Sequence, residues 1–359
     1  MSRKVNKKMD LHSQPIDARI NWLFLHARNH ADSFASPDTW LAKKRYLAEH
    51  PTAIGVLKCM DGRINIPIAT ETPVGIIQPF RNLGGRFDLG WPHLGEVLTD
   101  YVMSVVRDGR RALMMSTYHF SKGDPHRGCA GFNYDTEAAR NHTFAIRRQI
   151  EQVYGAVHQT VYPLVCGFET DEDALILHGE NNQTLDVSTL KETETLPARL
   201  RMMFPDMPEQ MRADLLPLID GNMRHVAEVR KSVRQLDAEH REWVICLGRG
   251  FDWLHMHNLA LIIGPYSPDL ADPIRKAAGI IQSNMEAKRI PDDGFLLLAS
   301  VPYAEIGVDR ARAELKSRFL SDFAADIIAS EFPKLARKMH QRTAVMNWSS
   351  RTLEFPAQA

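Results

Sequence analysis

Short continuous apolar runs alternate along this chain with longer segments whose apolar residues recur every three or four positions. The runs Ile54–Leu57, Val74–Pro79, Ala112–Phe120 and Gln159–Gly167 read as strands, and Asp173–His178 as a strand returning in a hairpin. Between them, Leu94, Val97, Leu98, Tyr101, Val102 and Val105 form one face of a helix over Leu94–Arg107. A second helix is predicted from about Asn133 to Tyr154, after the loop Ser121–Gly128. Upstream, Ile16, Ile20, Leu23 and Phe24 follow Pro15 at helical spacing, and Asp38 opens another helix through Trp40, Leu41 and Tyr46. Strands alternating with helices predict an α/β fold around a mostly parallel sheet.

The polar, Thr- and Asn-rich stretch Asn181–Glu194 marks a boundary. Residues 195–240 read as helical, with breaks at Pro205, Pro208 and Pro217. The pattern then restarts. Ala238-Glu-His240 precedes the strand Trp243–Leu247 as Ala48-Glu-His50 precedes the first strand, and Cys246-Leu-Gly-Arg-Gly250 echoes Cys59-Met-Asp-Gly-Arg63. Leu296–Pro302 followed by Ala304–Ile327 echoes Ala112–Tyr118 and its helix. An internal repeat of two α/β domains follows from that order. The basic stretches Arg147-Arg148 and 334–342 read as solvated helix faces, and the N-terminal octamer as disordered.

Composition narrows the classes. The 44 basic residues balance 44 acidic ones, which argues against a nucleic-acid partner or an anionic membrane surface. No apolar run approaches the roughly 20 residues of a membrane span. The N-terminus lacks the apolar stretch of a signal peptide. The four cysteines are widely spaced, which fits free thiols in a reducing cytoplasm better than a secreted disulfide framework.

Candidate chemistry concentrates at Cys59-Met-Asp61-Gly-Arg63, at the C-terminal end of the first strand, where open α/β sheets place ligands. Read as extended, the segment puts Cys59, Asp61 and Arg63 on one face. The third strand ends at Tyr118-His119-Phe120, and the loop beyond carries Asp124-Pro-His126-Arg-Gly-Cys129. One imidazole and two thiolates suit Zn²⁺ and leave a fourth tetrahedral position open, as catalytic sites do. Two thiolates cancel the ion's formal charge, so the surroundings must help it make hydroxide at neutral pH. Asp61 can orient that nucleophile, and Arg63 can keep Asp61 ionised. Cys166 and Cys246 read as core cysteines.

Cys59-x-Asp61-x-Arg63, Arg81-Asn-Leu-Gly84, a strand-end His and a Gly-Cys before a helix resemble, in that order, the β-class carbonic anhydrases. The carboxysome shell branch is similar at Tyr118-His-Phe-Ser121, Asp124-Pro125, Gly128-Cys-Ala130 and Gly167-Phe-Glu-Thr-Asp-Glu-Asp-Ala174 to His178. The resemblance implies duplicated α/β domains, the second degenerate, with Gly248 and Gly250 replacing Asp and Arg and Pro302-Tyr303 in place of Tyr118-His119. It implies a helical arm at 1–50, a catalytic domain at 51–190, a helical linker at 191–240 and a degenerate repeat at 241–359. Zinc would be held by Cys59, His119 and Cys129. His126 is the alternative that the commoner β-class spacing selects, but His119 sits at the strand end, where packing can fix the imidazole. Arg81, Asn82 and Gly84 would line the substrate pocket. The implied reaction is reversible hydration of CO₂ to bicarbonate by a zinc-dependent enzyme, with a homo-oligomer as its assembly. CS₂ or COS hydrolysis on the same scaffold is one alternative, and a non-catalytic bicarbonate- or partner-binding homologue another. With about 50 residues before the first strand, a cytoplasmic place is favoured over association with a carboxysome shell or RuBisCO.

Overall fold

The computed structural model describes residues 10–191, 195–231 and 239–356. The N-terminal octamer and Ala238 of the Ala-Glu-His echo lie outside these residues. Two helices open the described chain, α1 (Ile16–Phe34) and α2 (Pro37–Glu49). Ser36 caps α2 by accepting from the Thr39 N–H, and Pro37 occupies the first turn, where a missing N–H costs nothing. Then follow β1 (Ala53–Cys59), α3 (Ile66–Ala69), β2 (Ile77–Asn82), α4 (Pro92–Arg107), β3 (Ala112–Phe120), α5 (Thr136–Tyr154), β4 (Val161–Glu169), β5 (Ala174–His178) and β6 (Thr184–Asp186). Helices α6 (Leu196–Met203) and α7 (Glu209–Val229) lead to β7 (Val244–Gly248) and β8 (Ala260–Ile263). The chain continues as α8 (Ala271–Glu286), β9 (Phe295–Tyr303), α9 (Val308–Glu331), α10 (Pro333–Ala336), β10 (Met339–Asn347) and β11 (Leu353–Glu354).

Two sheets result. The first runs β2-β1-β3-β4-β5-β6 and the second β8-β7-β9-β10-β11, read in the matching direction. In each, four strands are parallel and the strands after them turn back antiparallel. The shared order is the architectural mark of duplication. The matching edges also meet: β8 and its flank donate from Ile262 N–H to the Met60 carbonyl (3.0 Å) and from Gly264 N–H to the Arg81 carbonyl (2.8 Å). One buried apolar cluster spans both repeats, joining Ile54, Val56 and Leu164 to Val244, Leu261 and Leu296.

The ladders correct several expectations. Val244 pairs with Leu296, the second residue of β9, as Ile54 pairs with Leu113, the second residue of β3. That register sets His240 level with His50 and Cys246 level with Val56, so Arg249 stands where Cys59 does. Matching the two cysteines directly skips three residues of strand. Cys246 is fully buried, and burial pushes its thiol well above the ordinary range. Pro217 does not break its helix; α7 runs through it, with Leu215, Leu218 and Ile219 held in the core on either side. Half of the basic stretch 334–342 is strand, the start of β10, because Gln341 and Thr343 pair along β9. The polar boundary segment contains the edge strand β6.

The N-terminal arm docks on the second repeat. Arg19, fully buried, donates to Asp293 at 2.5 Å and lies over the Trp243 ring at 5.1 Å. Asp10 accepts from Arg241 at 2.6 Å. Among the described residues no helix is long and apolar enough to cross a membrane. Because the core is shared and the arm rests on the far repeat, a fragment ending at residue 190 exposes apolar surface of the kind that halves of an obligate dimer bury. Expressed alone, residues 1–190 should aggregate; a soluble monomeric fragment in size-exclusion chromatography would show that the second repeat is dispensable for folding.

Candidate active site

The site begins where β1 stops. Cys59 is its last residue, and the chain then leaves extended geometry through a turn at Gly62-Arg63. Asp61 and Arg63 therefore meet by turning, not by sharing a strand face as their spacing suggested. The Arg63 N–H donates to Asp61 Oδ1 at 2.8 Å, Nε donates to the same oxygen at 3.1 Å, and Nη2 donates to Oδ2 at 2.7 Å. Both side chains are at most 5% exposed. Burial alone would raise the Asp61 pKa, but the charge of Arg63 and its hydrogen bonds hold it well below the carboxylate range. Burial opposes the Arg63 charge too, and Asp61 more than restores it.

Cys59, His119 and Cys129 converge, with one ligand atom of each within 4.8 Å of the others. All three are buried, at 6%, 2% and 2% exposure. His119 lies in β3, and Cys129 caps the short turn Ala130–Phe132 beyond the loop. Among the described residues neither ring nitrogen of His119 has a hydrogen-bond partner. Two orphaned nitrogens in a buried ring are costly unless something else engages them. The sulfurs act as a pair: Cys129 and then burial push the Cys59 thiol well up, while Cys59 brings Cys129 down. Two thiols competing for one proton beside an unsatisfied imidazole fit a thiophilic divalent ion, and zinc suits this donor set.

His126 is elsewhere. Its side chain is 83% exposed and its Nδ1 lies 3.2 Å from Asp124 Oδ1. The loop that carries it is pinned, contrary to its Pro/Gly composition. Asp171 accepts from Ser121 Oγ (2.9 Å) and the Gly123 N–H (2.7 Å), and Glu169 accepts from the Lys122 N–H (3.0 Å). That is the physical content of the Gly167–Ala174 motif: its carboxylates anchor the loop leading to Cys129.

The Arg81-Asn-Leu-Gly84 segment divides. Gly84, at φ +68°, presses on Gly131 beside the Cys129 turn, and a Cβ there would come within 3.1 Å of the Gly131 Cα. Asn82 donates from Nδ2 to the Arg86 carbonyl at 2.8 Å. Arg81 instead lines a separate small cavity with Gly248, Arg249, Phe251 and Tyr266 of the second repeat.

Sequence reasoning missed two residues. Glu242, fully buried, accepts from the Gly62 N–H at 3.1 Å, and a Cβ at Gly62 would lie 2.8 Å from the Ala260 carbonyl. His240 places Nδ1 2.9 Å from Glu242 Oε2 and Nε2 3.0 Å from Arg63 Nη2. The Ala-Glu-His echo pointed at His240, but only as a sign of duplication. A cleft of about 530 Å³, lined by Arg63, Arg127, Tyr134, Glu239 and His240, opens this side to solvent. Asp61, His240 and Glu242 also cluster closely enough to hold a cation, but the Arg63 guanidinium bonded among them disfavours one.

Residues 52–206 match the family model described as carboxysome shell carbonic anhydrase, catalytic domain. The chain is 26% identical over 239 residues to the carboxysome shell carbonic anhydrase of Prochlorococcus marinus (strain MIT 9313), covering 57% of this chain and 46% of the relative. It is 27% identical over 248 residues to the protein of that name from Hydrogenovibrio crunogenus (strain DSM 25203 / XCL-2), covering 58% and 46%. The chain thus spans less than half the length of these curated relatives.

The donor set predicts about one zinc per chain. Elemental analysis should show it lost in Cys59→Ser, Cys129→Ser and His119→Ala and retained in His126→Ala. Two ions per chain, or loss in His126→Ala, would contradict this assignment.

Proposed function

We propose that this chain, whose residues 52–206 belong to the carboxysome shell carbonic anhydrase catalytic-domain family, hydrates CO₂ reversibly to bicarbonate and a proton. The observation that carries this reading is the buried Asp61–Arg63 pair beside the Cys59, His119 and Cys129 group, with Asp61 Oδ2 4.0 Å from His119 Nδ1. A purely structural metal site has no use for an ionised carboxylate kept at its edge, so the dyad also weighs against a non-catalytic homologue. Zinc, held by those three residues, would supply the Lewis acidity that lets water act as a nucleophile at neutral pH.

The chain's own residues do the rest. Asp61 is acceptor-only while ionised, so it takes a hydrogen bond from an attacking water and turns a lone pair toward the carbon of CO₂. Arg63 occupies both carboxylate oxygens and keeps the group from swinging toward the ligand atoms. In the forward direction a C–O bond forms between water oxygen and CO₂, one water proton leaves to solvent, and bicarbonate departs. The cleft on the His240 side offers the route by which water and the anion exchange. The carboxysome shell, which the relatives' names carry, is for this chain the alternative to a free cytoplasmic place.

Asp61→Asn should keep its zinc and lose on the order of 10²-fold or more in CO₂ hydration, the scale of one positioned acid–base group. The amide carries no charge and can present an N–H where an acceptor is needed. Stopped-flow hydration with paired metal analysis measures this, and the same assay with CS₂ and COS separates the hydrolase alternatives. Full activity in Asp61→Asn with an unchanged pH–rate profile would overturn the mechanism.

A further inference from the structure

Among the described residues the second repeat shows no counterpart of the candidate metal ligands, yet it reaches into the first repeat's site. Both Glu242 oxygens face His240 Nδ1, at 3.0 and 2.9 Å. An ionised carboxylate only accepts, so Nδ1 must carry the ring proton. At the other end of the ring, Nε2 lies 3.0 Å from Arg63 Nη2. A guanidinium has donors only, so Nε2 must be bare and accept. The two ends of the imidazole select the same state, neutral with its proton on Nδ1. An imidazolium would set N–H against N–H at Arg63.

We propose that His240 and Glu242 are positioning residues for the Asp61–Arg63 dyad: Glu242 fixes the His240 tautomer, and His240 Nε2 holds the guanidinium against Asp61. This rests on the carbonic anhydrase reading and adds to it a contribution from the degenerate repeat. Glu242 also holds the turn, through the Gly62 N–H between Asp61 and Arg63. Arg63 Nη2 has two hydrogens, and among the described residues three acceptors lie around it, Asp61 Oδ2 at 2.7 Å, the Arg127 carbonyl at 3.0 Å and His240. Loss of His240 leaves Arg63 bonded to Asp61 and to the Arg127 carbonyl, and removes one of the described directions that orient the guanidinium.

Two measurements on the zinc-loaded full chain decide it. In ¹⁵N-histidine NMR, the His240 signals, identified by their absence in His240→Gln, should report the neutral Nδ1–H tautomer at neutral pH. An Nε2–H tautomer or an imidazolium there would overturn the proposal. In hydration kinetics, His240→Ala should lose about tenfold or more in kcat, the scale for partners that orient a site group, with KM and zinc content near wild type. His240→Gln, whose carbonyl can accept from Arg63, should recover most of it. Equal losses in the two variants, or none in either, would overturn the positioning role. If the wild-type chain holds zinc and does not hydrate CO₂, the activity reading fails, while the tautomer still decides whether Glu242 sets the state of His240.

Discussion

A buried carboxylate must be paired or it will take up a proton, and that constraint organises the candidate-site end of this protein. Asp61 is 4% exposed, and its neutral form would be useless as an acceptor. Arg63 meets it with three N–H donors from a single turn, and removing either partner of such a pair costs about 3–5 kcal/mol. Because the folded carboxyl lies well below its ordinary value, its contribution to stability is complete above a pH of about 4 and is lost as pH falls through the depressed pKa. The pair therefore stays charged throughout the range in which the proposed chemistry runs.

Pairing Asp61 creates a second burial problem. Arg63 is itself only 1% exposed, and Asp61 does not use all of its donors. Further acceptors among the described residues come from outside the motif: the Arg127 carbonyl from the loop before Cys129, and His240 from the other repeat. The loop in turn is tied down by Glu169 and Asp171. Metal ligands, dyad and seam between the repeats are thus parts of one polar network inside an otherwise apolar core, and partial satisfaction of such a network is worse than none.

How much of this could be read from the chain follows from what each signal encodes. Period and spacing located the first and third strands, which run to Cys59 and Phe120, since burial of both sheet faces leaves continuous apolar runs. The places of His119 at a strand end and His126 in a loop were legible, and exposure of 2% against 83% separates the two in space. The turn at Gly62 was not legible, because C-x-D-x-R has the same spacing in extended and turned backbone. Glu242 was invisible for a different reason. Its role depends on the meeting of β8 with residues 60–62, a contact between repeats that no local pattern records. Arg249 standing level with Cys59 was hidden by the more conspicuous match of cysteine to cysteine.

That seam also explains an asymmetry in the two repeats. Candidate metal ligands serve only their own site, so the second repeat can carry Arg249 level with Cys59 without disturbing the first. Groups that satisfy buried charges across the seam have no such freedom. The position level with Glu242 in the first repeat is Thr52, whose N–H donates to Asp214 of α7 at 2.9 Å, and His50, level with His240, lies 3.3 Å from the same carboxylate. The same place in the fold thus meets a carboxylate in both repeats. In one it ties the strand to the following helices, and in the other it reaches the dyad. A strand entry already built around an imidazole and a carboxylate needs only a change in which chain segment lies opposite to become part of the site.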